Sequence, residues 1–151
     1  MLPTTSARVP LNTDEQVNRD IHEAMRLRVT QYRHASPNEI TRRLQELDEE
    51  WDIERTLEAN AATVCVASVA LGLVADRRWF VLPAVVGGFL LQHALQGWCP
   101  PLPVFRRLGV RTQREIEEER FALKVLRGDF NSVQSGTSLP ETASVMSAVA
   151  R

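Results

Sequence analysis

Cys99 and His93 are the two side chains whose type and position invite chemistry. Cys99 follows Gly97-Trp98, precedes Pro100, and has Arg106 and Arg107 a few residues downstream. Nearby positive charge lowers a thiol pKa and favours the nucleophilic thiolate, so the position points to sulfur handling or redox sensing. Against this stands the ordinary role of a small soft residue packed under a turn. His93 lies inside a long apolar run, where ionisable groups act as ligands or proton carriers. No second histidine, carboxylate or cysteine stands at ligand spacing on that run, which favours a hydrogen-bonded packing histidine. His22, His34 and His93 are too dispersed for a zinc site, and Cys65 reads as a packing residue. No nucleophile–base pair, phosphate loop or metal cluster emerges. The chain reads as non-enzymatic, with no catalytic, cofactor-binding or metal residues and no cofactor.

These residues sit in or beside two apolar runs. Ala59 to Ala75 is 17 residues without a formal charge, and Trp79 to Trp98 is 20. As helices they would span roughly 25 and 30 Å, close to the bilayer hydrocarbon thickness. Asp76-Arg77-Arg78 alone separates them, which forces antiparallel neighbours. The mean hydropathy of −0.20 hides this pattern, because the arms carry nearly all of the 18 basic and 19 acidic side chains. The net charge of −1, with alternating signs along both arms, gives no sign of nucleic-acid binding. Two cysteines exclude a disulfide framework, and the N-terminus lacks the basic-then-apolar pattern of a secretory signal.

Five regions follow. Residues 1–12 read as a disordered lead-in. Residues 13–58 form a cytoplasmic helical arm. Its first helix starts at Thr13-Asp14-Glu15-Gln16 and carries Val17, Ile21, Met25, Val29 and Tyr32 on one face. Its second starts at the capping box of Ser36-Pro37-Asn38-Glu39. Ile40, Leu44, Leu47 and Trp51 follow at heptad-like spacing, and no proline or glycine interrupts Asn38 to Leu71, so one helix is expected to continue into the first apolar run. Residues 59–98 form a transmembrane helical hairpin. Residues 99–130 form a Cys-Pro turn and a cytoplasmic helix, opened by a capping box at Thr112–Glu115 and closed at Gly128. The Glu117-Glu118-Glu119 run reads as a solvated face. Residues 131–151 read as a disordered tail.

Registering the runs about the turn pairs Gly72 with Ala84, Ser68 with Gly88, Val64 with Gln92, and Asn60 with Gln96. Small residues permit close backbone approach and amides bond across the pair, so Asn60, Ser68, Gly72, Ala84, Gly88, Gln92 and Gln96 form the expected packing face. A pore lined by Asn60, Ser68, Gln92 and Gln96 is the minor alternative. Arg42, Arg43 and Arg55 before the hairpin and Arg106, Arg107, Arg111 and Arg114 after it outnumber Arg77 and Arg78 in the turn. Both termini are therefore expected in the cytoplasm. Trp79 and Trp98 bracket the second run, as interfacial aromatics do. Arg55 suits an anchor at the headgroups.

Ile53-Glu54-Arg55, Gly97-Trp98-Cys99-Pro100 and Arg107-Leu108-Gly109-Val110-Arg111-Thr112 together resemble the two-helix membrane domain of the YgaP-like inner-membrane proteins of bacteria, over roughly Trp51 to Thr112. The resemblance implies a bacterial inner-membrane protein and a homodimer of hairpins. Some members carry a rhodanese domain for sulfur transfer. Here neither arm has room for one, and neither cysteine opens a Cys-x-x-Gly-x-Arg type loop. The extra residues between Cys99 and Leu108 and the long charged arms also depart from the family pattern.

The expectation is an all-α protein, a two-span hairpin with amphipathic cytoplasmic helices on both sides. It acts as an anchor or self-associating interaction module, partnered by the bilayer, a second copy and an unidentified protein at the cytoplasmic helices. A small transport or sulfur-handling component using Cys99, and a soluble helical bundle, are the alternatives.

Overall fold

The computed structural model describes residues 2–131, 145–147 and 149. The expected tail falls largely on residues 132–144, outside the described set. Among the described residues all regular structure is helical: α1 (Arg8–Leu11), α2 (Glu15–Gln31), α3 (Pro37–Glu49), α4 (Ile53–Val74), α5 (Val81–Gln96), α6 (Leu102–Arg107) and α7 (Gln113–Arg127). Two compact units are present. One comprises Met1–His22 with Trp51–Arg114, and the other Glu23–Glu50 with Glu115–Arg151. The expected arm of residues 13–58 is thus divided between them.

The first unit is built on the α4–α5 hairpin. The expected continuous helix through residues 38–71 does not form. Glu50 and Asp52 are extended, the Asp52 side chain accepts from Arg55 N–H, and Ile53 N–H donates to the Arg111 carbonyl at 2.8 Å. A capping aspartate and a tertiary backbone partner for Ile53 together favour a fresh helix start over continuation. From there α4 runs 22 residues, about 33 Å at 1.5 Å per residue. A short 3-10 turn, Arg77–Phe80, leads into α5. Two helices are long and apolar enough to cross a membrane, the second being Arg77–Gln96, and only 6% of its apolar window is covered by the rest of the chain.

The inner face of α4 is Ile53, Leu57, Ala61, Ser68 and Gly72, a row at helical spacing. Ser68 and Gly72 therefore lie inside, with the Ser68 hydroxyl donating back to the Val64 carbonyl of its own helix. The α5 half of the expected face is a correction. Ala84, Gly88 and Gln96 are exposed and Gln92 is half-buried, while His93 and Gly97 are buried. On α4, Asn60 is exposed as well. The physical reason lies at the turn. The Phe80 ring packs so close to Gly72 that a Cβ there would meet it at 2.9 Å, whereas a Cβ on Gly88 would meet nothing. The Phe80 ring takes the space over Gly72 that the expected register gives to Ala84, and the small-residue row of α5 is uncovered.

Residues 1–12 also differ from expectation. They carry α1, whose Val9 is buried with Ile53, Leu57, Cys99 and Leu102, flanked by Phe105 and Val110. A lead-in with a buried valine is no longer a free chain, because removing it would open an apolar cavity.

The second unit packs the stripe Ile40, Leu44 and Leu47 of α3 against Ile116 and Leu123 of α7, with Tyr32 and Ala35 beside it. The capping box at Ser36 is present, with Pro37 at the first helical position. Its two hydrogen bonds from Ser36, side chain and backbone, hold the Glu39 carboxyl below its ordinary value. Glu119 corrects the reading of its run as a solvated face. Its side chain is fully buried, and its carboxylate accepts from Arg28 at 3.2 Å and from Arg43 at 2.9 Å. A buried carboxylate is tolerable when paired and hydrogen-bonded. Burial works against the Arg43 charge, but hydrogen bonds to Glu46 and Glu119 outweigh it and raise its pKa.

Candidate functional site: a polar cluster and an apolar groove at the hairpin base

The last turn of α5 needs partners for its carbonyls, and α1 supplies them. Arg8 Nη1 donates to Ala94 O at 2.9 Å and Asn12 Nδ2 to Gln96 O at 2.7 Å. Gly97 ends α5 in the left-handed region at φ 81°. A Cβ there would stand 2.3 Å from the Arg8 carbonyl oxygen, so only glycine suits both the backbone and the close approach of α1.

The other guanidinium nitrogen of Arg8, Nη2, donates to Glu54 Oε1 at 2.9 Å, and the second carboxylate oxygen, Oε2, lies 2.7 Å from His93 Nε2. Three helices thus contribute one charged or ionisable group each: α1 the cation, α4 the carboxylate, α5 the imidazole. A carboxylate shared in this way accepts on both oxygens, which fixes Nε2 of His93 as the donor. His93 is 4% exposed, and its Nδ1 is buried without a hydrogen-bond partner among the described residues. Such a cluster clamps the open end of the hairpin to the N-terminal segment.

Cys99 is buried beside this cluster. Burial pushes its thiol up. A Leu102 N–H bond opposes the shift, and the Glu54 charge adds to it. Of the two downstream arginines, Arg106 is not free to activate the thiol. Arg106 is itself buried, donating to Val110 O and Asn18 Oδ1 at 3.0 Å each. Its charge is spent inside the fold on closing the post-helix turn. Burial and the Glu54 charge both disfavour the thiolate at Cys99, which supports the reading of a packing residue over that of a reactive thiol.

Above Cys99 an apolar groove of about 240 Å³ runs between α4 and α5, with Leu57, Asn60 and Val64 on one wall, Leu82 and Val86 on the other, and Pro100-Pro101 at the floor. Phe89 also lines it and meets Trp98 edge-on at 6.3 Å. Arg55, expected as an anchor, lies over the Trp51 ring at 4.3 Å. Cys65 is half-buried. Among the described residues no group of three metal-ligating side chains occurs.

Compared with protein-family models, curated proteins and solved structures, the chain has no match. Its function must be argued from its own residues. Sequence reasoning missed Arg8, Asn12 and the pairing of Glu54 with His93. The α5 sequence holds no partner for His93 at helical spacing, because the partner lies 39 residues away on the antiparallel neighbour. The glycine at the end of α5 was the available signal that another segment comes close.

Proposed function

We propose that this chain is a non-enzymatic, integral membrane hairpin that anchors a cytoplasmic helical unit and associates with a second copy. The observation carrying the reading is the uncovered apolar surface of α4 and α5, with Val66, Leu73, Val74, Val81 and Leu91 each more than 60% exposed. Exposed apolar area of that extent on neighbouring helices needs a lipid or protein covering. The YgaP-like resemblance supports the same assignment, since the Gly97 and Glu54 that belong to it both have structural work at the hairpin base. Leu44 and Leu47 are enclosed in their own unit. Self-association therefore falls to the uncovered Ala84, Gly88 and Gln96, with the half-buried Gln92 in the same row, where small residues permit close approach and amides bond across copies.

Both termini lie on the cytoplasmic side of a bacterial inner membrane in this reading, with Asp76–Arg78 outside. The test is labelling of single cysteines, in a chain with Cys65 and Cys99 replaced by serine, using an impermeant maleimide. Arg77→Cys should label in intact spheroplasts and Asp129→Cys only after permeabilisation. The reverse pattern would overturn the orientation, and equal labelling only after lysis would overturn the anchor itself.

A further inference from the structure

The two ends of the hairpin treat their charges differently. At the base, Arg8, Glu54 and His93 answer one another. At the tip, Arg77 and Arg78 are exposed, and neither guanidinium has a hydrogen-bond or ion-pair partner among the described residues. Asp76 makes no contact with either guanidinium. Its carboxylate accepts from the Arg78 backbone N–H at 2.8 Å and caps the short turn Arg77–Phe80. Hydrocarbon adjoins these cations on both sides in the chain. Leu73 and Val74 close α4, Val81 opens α5, and each is more than 60% exposed. Trp79 and Phe80, also exposed, stand between the cations and α5.

We propose that Arg77 and Arg78 bind the phosphate of an anionic phospholipid whose acyl chains lie against Leu73, Val74 and Val81. The contact rests on the membrane reading above and names the lipid that holds the tip. Guanidinium groups take phosphate through paired, charge-assisted hydrogen bonds. An arginine near a helix end reaches the headgroups while its stem stays against hydrocarbon, and Trp79 suits the same interfacial level. The choice of partner follows from what any other would leave uncovered. A free anion or an acidic peptide would answer the two charges and leave the adjoining Leu73, Val74 and Val81 in water. A second copy aligned tip to tip would cover hydrocarbon but bring two more arginines to the same place, with its own Asp76 already capping its turn. An amphiphile offers an anion and hydrocarbon together. The tip is then held by lipid, as the base is held by α1.

The test uses the full chain in nanodiscs of equal phosphatidylcholine and phosphatidylglycerol, with Trp51→Phe and Trp98→Phe leaving Trp79 as the sole tryptophan. Bromine placed high on the acyl chains of one lipid or the other quenches Trp79 on contact, and the ratio gives the lipid preference at the tip. Phosphatidylglycerol should be preferred. Arg77→Gln or Arg78→Gln should each reduce that preference roughly fivefold, the scale of one arginine at an anionic lipid surface. Arg107→Gln, beyond the base of the hairpin, should leave it unchanged. Native mass spectrometry of the same arginine variants with all tryptophans intact should show the same loss of phosphatidylglycerol adducts. Equal quenching by the two lipids, or a preference unchanged in both tip variants, in protein that carbonate leaves in the membrane, would overturn the tip contact and leave the anchor standing. Loss of the preference on adding inorganic phosphate at constant ionic strength would assign the arginines to a free anion and overturn it as well. Release of the protein by carbonate would overturn the membrane reading together with the contact.

Discussion

The hairpin and the α3–α7 unit bury polar groups in opposite ways. In the hairpin the charged contacts are gathered at one end, where Arg8, Glu54 and His93 meet, and the remaining length of both helices is hydrocarbon with occasional amides. In the other unit a carboxylate lies in the core itself: Glu119 is fully buried between Arg28 and Arg43, and Arg120 reaches Asp48. The first arrangement leaves most apolar area uncovered, and the second encloses its apolar stripe. A helix pair that depends on an external covering and a helix pair that closes on itself should respond differently to the same kinds of change.

The largest expected effect sharpens that difference. Glu119→Leu leaves two guanidinium groups without their shared carboxylate, which in buried pairs costs ~3–5 kcal/mol. Urea unfolding of the full chain in detergent micelles should show the α3–α7 unit losing most of its stability while hairpin helicity persists. A shift below ~0.5 kcal/mol would show Glu119 to be a surface-like group. Next come two leucines compared within the hairpin. Gly72→Leu drives a side chain into the Phe80 ring and should cost ~1–3 kcal/mol by overpacking. Gly88→Leu enters open space; it should leave monomer stability within ~0.5 kcal/mol while weakening self-association measured by single-molecule photobleaching in liposomes. Equal effects of the two on folding would erase the distinction between covered and uncovered faces.

Gly97→Ala should cost at least the ~1–2 kcal/mol of a left-handed alanine, and its Cβ must also displace α1. Hydrogen exchange in residues 8–12 should accelerate, with the α3–α7 unit unchanged. Protection retained at α1 would mean the N-terminal segment is held by something other than this approach. The smallest effect is electrostatic. Glu39 has its pKa lowered in the folded state by the Ser36 bonds. It therefore contributes stability that is present above its ordinary value near 4.5 and is lost as pH falls through the lowered value. Glu39→Ala should reduce the Tm of the α3–α7 unit slightly at pH 7 and lose that difference in acid; a constant difference across that range would contradict it.

Patterning made the helical class legible. Ser36-Pro37 and Gly128 mark the start of α3 and the end of α7, and the stripe Ile40-Leu44-Leu47 marks a buried face, because each signal is local to its helix. The break at Asp52 was not legible. It depends on Ile53 N–H finding the Arg111 carbonyl, a partner that no window of sequence contains. The rotation of α5 was misread for a related reason. Counting residues about Asp76–Arg78 treats the turn as a point, whereas the Phe80 ring, not Ala84, fills the space over Gly72, and Gly88 is exposed. At the candidate site, Gly97 and Cys99 stood out by motif, but the clamp that explains Gly97 comes from Arg8 and Asn12 in a segment whose composition suggested disorder. The buried valine there, Val9, carries no periodic signal in so short a helix.

The central claim is that the α4–α5 hairpin is covered by lipid, and alkaline carbonate extraction of membranes from cells expressing the tagged chain tests it most directly. The account predicts that the protein stays in the membrane pellet with an integral marker. Release into the supernatant with peripheral proteins would contradict it, and the uncovered faces of α4 and α5 would then have to be closed by other protein.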